Sequence, residues 1–339
     1  MVGGRIWWVR GCALLGALLS PSFVLTVAAP QPDTQVFDLS SYVQADPITN
    51  HPIEKLRKDI PELKKLEPSD DQSSLPDILS RVAENLDLFL KDFVNTTSRE
   101  EIDESRRGGG TGDPTELFPG VIRGDQTARF THDFIHQRFR YLMLLEAGAP
   151  RRLAEYRTDI EGQDRSADLP VAGFLQTSGF ASLLLLLDRD HQPLSSFRYL
   201  GSQVVNGRPT YVLAFAERPM PAAVVVSFRL STGESIPVIL QGVAWIDAET
   251  YQVVRMRTDL LAPQTDMGLR QESTIVQLHQ VTFRQSPAVL WLPQEVEVTV
   301  EFRGTLFQNR HRYSDYQIFH VDTEQHVQPP KEASAPPQK

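Results

Sequence analysis

The chain has 339 residues, a formal net charge of -9, 41% hydrophobic and 23% charged residues, and a single cysteine. An acidic chain without a basic run is excluded from the phosphate neutralisation on which nucleic-acid affinity rests, and anionic membrane surfaces are disfavoured for the same reason. Cys12 alone excludes a disulfide framework and every thiolate metal site.

Residues 1–28 read as a cleavable secretory leader: a basic start with Arg5 and Arg10, an apolar run from Cys12 to Val27, and a small-residue stop at Thr26-Val27-Ala28-Ala29. Gly16, Ser20, Pro21 and Ser22 interrupt the run, which falls short of the roughly 20 apolar residues that span a bilayer. Cys12 precedes most of the run, so it is not placed for lipidation. Removing Arg5 and Arg10 makes the mature chain about two units more acidic. No other segment is long enough to cross a membrane, so no integral membrane segment is expected after leader removal, and the expected location is periplasmic or secreted.

Residues 29–51, with Pro30, Pro32 and Pro47, read as a disordered, exposed lead-in. Ile53, Leu56, Ile60, Leu63 and Leu66 then recur at helical spacing, but Pro61 divides them into two short helices. Ser74-Leu75-Pro76-Asp77 resembles an N-cap, and it opens an amphipathic helix of about 18 residues with Ile78, Leu79, Val82, Leu86, Phe89, Leu90 and Phe93 on one side. Residues 104–114, rich in glycine and arginine, predict a mobile loop.

RFRYLMLLE and RRLAEYRTD, separated by Ala147-Gly148-Ala149-Pro150, predict a β-hairpin. Leu183 to Leu187 cover every side of a helix, and length favours a fully buried helix over a buried strand. From Phe197 to Val321 strand follows strand. Asn206-Gly207 supplies the two positive φ angles of a type I′ hairpin, and Asp247-Ala248-Glu249-Thr250 a longer turn. Val296, Val298, Val300 and Phe302 alternate with Glu297, Thr299, Glu301 and Arg303, which is a strand with one dry and one wet face. Residues 52–322 are thus expected to form one α+β domain, a curved antiparallel β-sheet (an unclosed half-barrel) wrapped around a few helices, followed by a disordered tail over 323–339.

The search for chemistry yields no catalytic residue and no metal site. His132 and His136 have an i, i+4 spacing, but the HExxH acid is missing and an exposed pair is expected. His311, Ser314 and Asp315 stand together without a nucleophile elbow, so they read as a polar and aromatic strand edge, with Tyr313 and Asp315 on one face and Ser314 and Tyr316 on the other. Asp247 and Glu249 belong to a turn, where Asp is favoured because it bonds the backbone two residues on. Gly108 to Gly110 lack the GK[ST] of a phosphate loop, and no cofactor is expected. Asn95-Thr96-Thr97 is a glycosylation sequon, relevant only in a eukaryotic secretory route.

Blocks such as IPELKKLEP, VAWIDAETYQVVRM, WLPQEVEV and NRHRYSDYQIF resemble uncharacterised secreted bacterial proteins. More distantly, Trp245-Ile246-Asp247 and Val253-Val254-Arg255 resemble the hairpin of the lipoprotein-carrier (LolA and LolB-like) superfamily. That likeness implies an unclosed barrel around an apolar cavity and transfers no ligand-binding residue. The expected function is that of an exported, non-catalytic envelope protein that binds or carries a lipid or acylated partner in the concave face of the sheet. The alternative is a scaffold for another envelope protein, without a small-molecule ligand; a hydrolase using His132, His136 or His311 is the third reading.

Overall fold

A computed structural model describes residues 23–27, 39–92, 95–108, 131–146, 152–158, 175–177, 179–220, 226–229, 235–284 and 286–318. The elements in chain order are β1 (Phe23–Val27), α1 (Ser40–Val43), α2 (Ile53–Asp59), β2 (Glu67–Pro68), α3 (Leu75–Asp92), β3 (Thr96–Gly108), β4 (Thr131–Glu146), β5 (Arg152–Thr158) and β6 (Leu175–Thr177). They continue with β7 (Ser195–Val205), β8 (Arg208–Glu217), β9 (Val226–Arg229), β10 (Ser235–Val238), β11 (Leu240–Asp247), β12 (Val253–Leu260), β13 (Leu269–Phe283), β14 (Ser286–Phe302) and β15 (Thr305–Ile318).

Eleven strands form one open antiparallel sheet in the order β2-β7-β8-β11-β12-β13-β14-β15-β3-β4-β5. The meander expected from sequence is its central part. The chain returns to that meander at β15, whose free edge takes β3, and the β4–β5 hairpin extends the sheet beyond it. This is the unclosed half-barrel of an α+β fold. Asn206 and Gly207 have φ of 51° and 79°, the left-handed pair that turns β7 into β8. Asp247 closes the β11–β12 turn: its Oδ1 accepts from the backbone N–H of Glu249 and Thr250 and from the Thr250 hydroxyl, and Oδ2 accepts from Arg208.

Period-two alternation gives the sheet two dry faces at one end. On β11, Ala244 and Ile246 face one cluster with Ile78, Val82, Leu86 and Phe89 of α3, while Val243 and Trp245 face another with Ile53 and Leu56 of α2. The helices therefore divide between the faces: α3 and the leucine run line the concave side, while α2 and the 3₁₀ turn Pro61–Lys65 cover the outer side of β7, β8, β11 and β12. Arg257 joins that outer layer to the sheet through Glu62 at 3.1 Å. The stretch expected as an exposed lead-in is folded from Leu39 onward. Leu39 and Tyr42 pack with Ala216, Ile239 and Leu261, and Ile48 enters the α2 cluster, because scattered apolar residues need only one face to be held.

Other expectations are adjusted in the same way. Leu183–Leu187 lie in a 3₁₀ helix, Ser182–Leu187, with Leu183, Leu184, Leu186 and Leu187 buried. The three-residue turn eclipses side chains around a narrow axis, which suits a short run closed on all sides. Glu104–Gly108, expected to begin a loop, continue β3; residues 109–114, the leader outside Phe23–Val27, and the tail lie outside the described residues. Among the described residues no helix is long and apolar enough to cross a membrane.

Gly242 marks a close backbone approach in the sheet, since a Cβ there would stand 1.9 Å from the Arg257 carbonyl oxygen and 2.8 Å from the Phe215 ring. Gly242→Ala is expected to lower stability by about 3 kcal/mol, the upper end of overpacking costs. Urea unfolding measures it, and an unchanged midpoint would contradict the close approach.

Candidate functional site

The concave face is apolar along most of its width, from Leu213 and Phe215 on β8 through Met256, Val276 and Val298 to Phe307 on β15. At its β3–β4–β5–β15 end it carries a buried polar cluster instead. The registers put Glu100 opposite Tyr313 and Phe139, and Ile102 opposite His311, so even-numbered β3 residues and odd-numbered β15 residues turn inward together.

Glu100, fully buried, is the centre of the cluster. Arg157 of β5 donates to both its oxygens, Nε to Oε2 at 2.5 Å and Nη2 to Oε1 at 2.8 Å, and the Tyr313 hydroxyl donates to Oε1 at 2.8 Å. His311, also fully buried, places Nδ1 2.9 Å from Glu100 Oε1 and Nε2 2.8 Å from the Thr177 hydroxyl. Burial works against ionisation of Glu100, but the charge and hydrogen bonds of Arg157, helped by His311, outweigh it and hold the carboxyl at about 2. Burial lowers the His311 pKa against the pull of Glu100, so the neutral ring is favoured. Neutral His311 then donates Nδ1–H to the carboxylate and accepts the Thr177 proton at Nε2.

Thr177–His311–Glu100 has the connectivity of a hydroxyl–imidazole–carboxylate relay. All three side chains are enclosed, Thr177 being 1% exposed, and Glu100 is already saturated by Arg157 and Tyr313. What the arrangement does in this fold is pin β6. The Leu175 N–H donates to Glu104 Oε2 at 3.3 Å, Asn309 Nδ2 donates to the Leu175 carbonyl at 2.7 Å, and Thr177 is held by His311. Just beyond β6, Glu155 accepts from the backbone N–H groups of Gly179, Phe180 and Ala181 and from the Tyr141 hydroxyl, fixing the entry to the leucine turn.

A second polar patch interrupts the apolar wall on β8 and β13. Glu217 accepts from the Leu240 N–H at 2.7 Å, and Glu272 Oε1 accepts from Thr274 at 2.7 Å while Oε2 is buried without a hydrogen-bond partner among the described residues. Burial raises both carboxyls to about 8.

The residues singled out in the sequence separate. His132 and His136 lie on the exposed face of β4, with His136 Nδ1 2.7 Å from Asp103. Among the described residues no group of three or more His, Cys, Asp and Glu is placed to hold a metal ion. His311 is not on a strand edge: β15 lies between β14 and β3. Asp315 has φ of 56° in a register shift between Ser314 and Gln317, so it is exposed and parts from the buried Tyr313. Around that shift Thr97, Ser98, Arg99, Phe139, Arg140, Asp315 and Gln317 line an open depression of about 230 Å³. Glu100, Glu104, Glu155, Arg157 and Thr177 escaped sequence reasoning altogether. The available signal was the even-numbered set Thr96, Ser98, Glu100, Ile102 and Glu104, which alternates without an apolar majority.

Two outcomes test these electrostatics. Glu100→Gln leaves Arg157 buried without its counter-charge and is expected to cost about 3–5 kcal/mol, whereas Glu100→Leu combined with Arg157→Met costs much less than the sum of the two single changes. Urea unfolding of the four proteins measures the coupling. Glu217 and Glu272 have folded pKa values above that of an unfolded carboxyl, so their contribution is complete below about pH 4.5 and is lost as pH rises toward 8. Glu272→Gln is therefore expected to gain stability relative to the parent chain between pH 5 and pH 8; parallel unfolding curves at the two pH values would contradict the shift.

No protein-family model and no curated protein matches this chain. Among solved structures it is similar to a DUF1329 family protein from Desulfovibrio piger, at 10% identity and a TM-score of 0.31 over 71% of this chain and 90% of that one. It is similar to a putative outer membrane lipoprotein-sorting protein domain from Vibrio parahaemolyticus, at 12% identity and a TM-score of 0.31 over 73% and 94%. A LolA superfamily protein from Nitrosomonas europaea is similar at 11% identity and a TM-score of 0.27, again over 73% and 94%. Likeness at this level assigns no activity, ligand or partner to this chain.

Proposed function

We propose that this chain is an exported, non-catalytic envelope protein that binds a lipid or acylated partner against the concave face of its sheet. The observation that carries the reading is the form of that face. A largely apolar wall runs from β8 to β15, broken by Glu217 and Glu272, and it is covered by α3, the leucine turn and a small sheet whose edge strands are β6 and β10. Among these covers, α3 is held by the packing of its apolar side and by side-chain hydrogen bonds to its neighbours. Asn85 of α3 donates to the Thr250 carbonyl at 2.7 Å, and Gln192 donates to the Leu79 carbonyl at 2.9 Å. Displacing a cover exposes apolar wall that an acyl chain can replace at roughly 0.8 kcal/mol per buried methylene.

The non-catalytic part of the reading rests on enclosure: the Thr177–His311–Glu100 relay is sealed and serves as a pin. Export rests on the leader anatomy of residues 1–28.

Native mass spectrometry of the chain purified from membrane-containing lysate is expected to show a co-purifying lipid, and a fluorescent fatty acid is expected to bind saturably. Val298→Glu, in the middle of the wall, is expected to weaken that uptake at least tenfold, with circular dichroism checking that the sheet persists. Absence of both lipid and uptake would overturn the proposal and leave the scaffold alternative.

A further inference from the structure

The smaller sheet has the order β10-β9-β1-β6, so the central place beside β6 is taken by Phe23–Val27, the end of the leader's apolar run. β1 runs parallel to β6, with Phe23 opposite Leu175 and Leu25 opposite Thr177, and antiparallel to β9, with Leu25 opposite Phe228 and Val27 opposite Val226. A leader cut after Ala28 or Ala29 takes this strand away.

Neither neighbour of β1 is free to close the gap. β6 is held on the large sheet by Glu104, Asn309 and His311. β9 pairs with β10, which runs directly into β11 and is fixed by the Tyr42 hydroxyl on the Pro237 carbonyl at 3.1 Å and by the Leu261 N–H on the Ile239 carbonyl at 2.8 Å. Ile236 and Val238 of β10 are buried in the main core, as is Leu175 of β6. Two anchored strands thus stand two strand spacings apart, roughly 9.6 Å, with one strand's width between them. Emptied, the facing edges of β6 and β9 present unpaired N–H and C=O groups beside an apolar core, which is costly until another backbone pairs with them.

We propose that this gap is a strand-acceptor site that, once the leader is removed, takes an extended apolar segment of a partner polypeptide, parallel to β6 and antiparallel to β9. Main-chain pairing supplies the affinity, as in other strand additions. The occupant's chemistry follows from the segment now there. It needs five residues in extended form and of apolar composition like Phe23–Val27, because the registers set that segment beside Leu175 and Thr177 of β6 and, across β9, in line with Ile236 and Val238 of β10, all four buried. A second copy of the processed chain has lost the same segment, so the occupant is assigned to a different polypeptide. The site goes beyond lipid binding on the concave face and depends on leader removal alone.

The test uses the full chain, folded with a specific protease site inserted between Ala29 and Pro30 and then nicked. The probe is a fluorescent peptide of residues 22–28 with a solubilising lysine tail, followed by anisotropy. Saturable binding is expected after nicking and not before, and a peptide carrying Leu25→Pro is expected to bind at least tenfold more weakly, since proline cannot donate to the ladder. Should nicking unfold the chain, the intact chain with Leu25→Pro empties the gap without a cut and is expected to bind the unmodified peptide. Failure of both proteins to bind, equal binding of the two peptides, or recovery from the export compartment of a chain still carrying residues 23–27 would each overturn the proposal. Fatty-acid uptake by the same nicked protein separates the two readings: peptide binding without uptake overturns lipid binding alone, and uptake without peptide binding overturns the acceptor site alone.

Discussion

The Glu100–Arg157 pair is the interaction on which this end of the molecule depends. A carboxylate taken out of water costs several kcal/mol even after relaxation, and it is tolerated only where charge and hydrogen bonds saturate it. Arg157 from β5, with Tyr313 and His311 from β15, meets that condition, so three strands of the large sheet share one buried anion. Through His311 the anion also fixes the Thr177 hydroxyl, and with it a strand of the smaller sheet. Apolar packing alone would let β6 slide along the wall; directional bonds from Glu104, Asn309 and His311 give it one position.

What the sequence disclosed is what local chemistry determines. Asn206-Gly207 specifies its hairpin because few residue pairs accept two positive φ angles. The helix α3 is legible because Ile78, Val82, Leu86 and Phe89 repeat at helical spacing, and Pro61 ends α2 because it lacks the N–H that the next turn needs. The central meander, with its wet and dry alternation, needed no tertiary information to be recognised.

The site was not legible, and the reason is physical. Thr-Ser-Arg-Glu-Glu-Ile-Asp-Glu-Ser-Arg-Arg reads as solvent-exposed because its inward residues are carboxylates and hydroxyls, and only the partners on β5 and β15, some 55 and 210 residues away, make their burial tolerable. Its neighbours mislead in the same way. His311 looks like part of a polar strand edge until β3 is known to cover β15, and Asp315 leaves the Tyr313 face only because the ladder shifts register after Ser314. Leu39–Asn50 looks like an exposed lead-in because the aromatic and aliphatic residues that dock it, Tyr42 and Ile48, are too few to set a period.

The two-sided use of the sheet constrains how any ligand is met. Over β7, β8, β11 and β12 the outer face is already committed to residues from Ile48 to Leu66, with Trp245 and Leu63 fully buried there. Binding to apolar surface is thereby directed to the concave side, where α3 and the leucine turn occupy the wall. Where α3 and the leucine turn pack on the wall, a guest would have to replace contacts that a cover gives up. The covers best suited to exchange are those whose loss leaves the rest anchored. α3 buries four large side chains and is tied to the β11–β12 turn, whereas β1 contributes one short strand between two neighbours that are each fixed by other bonds. The buried anion at Glu100, by holding β6 in place, is what makes that strand replaceable without collapse of the wall beneath it.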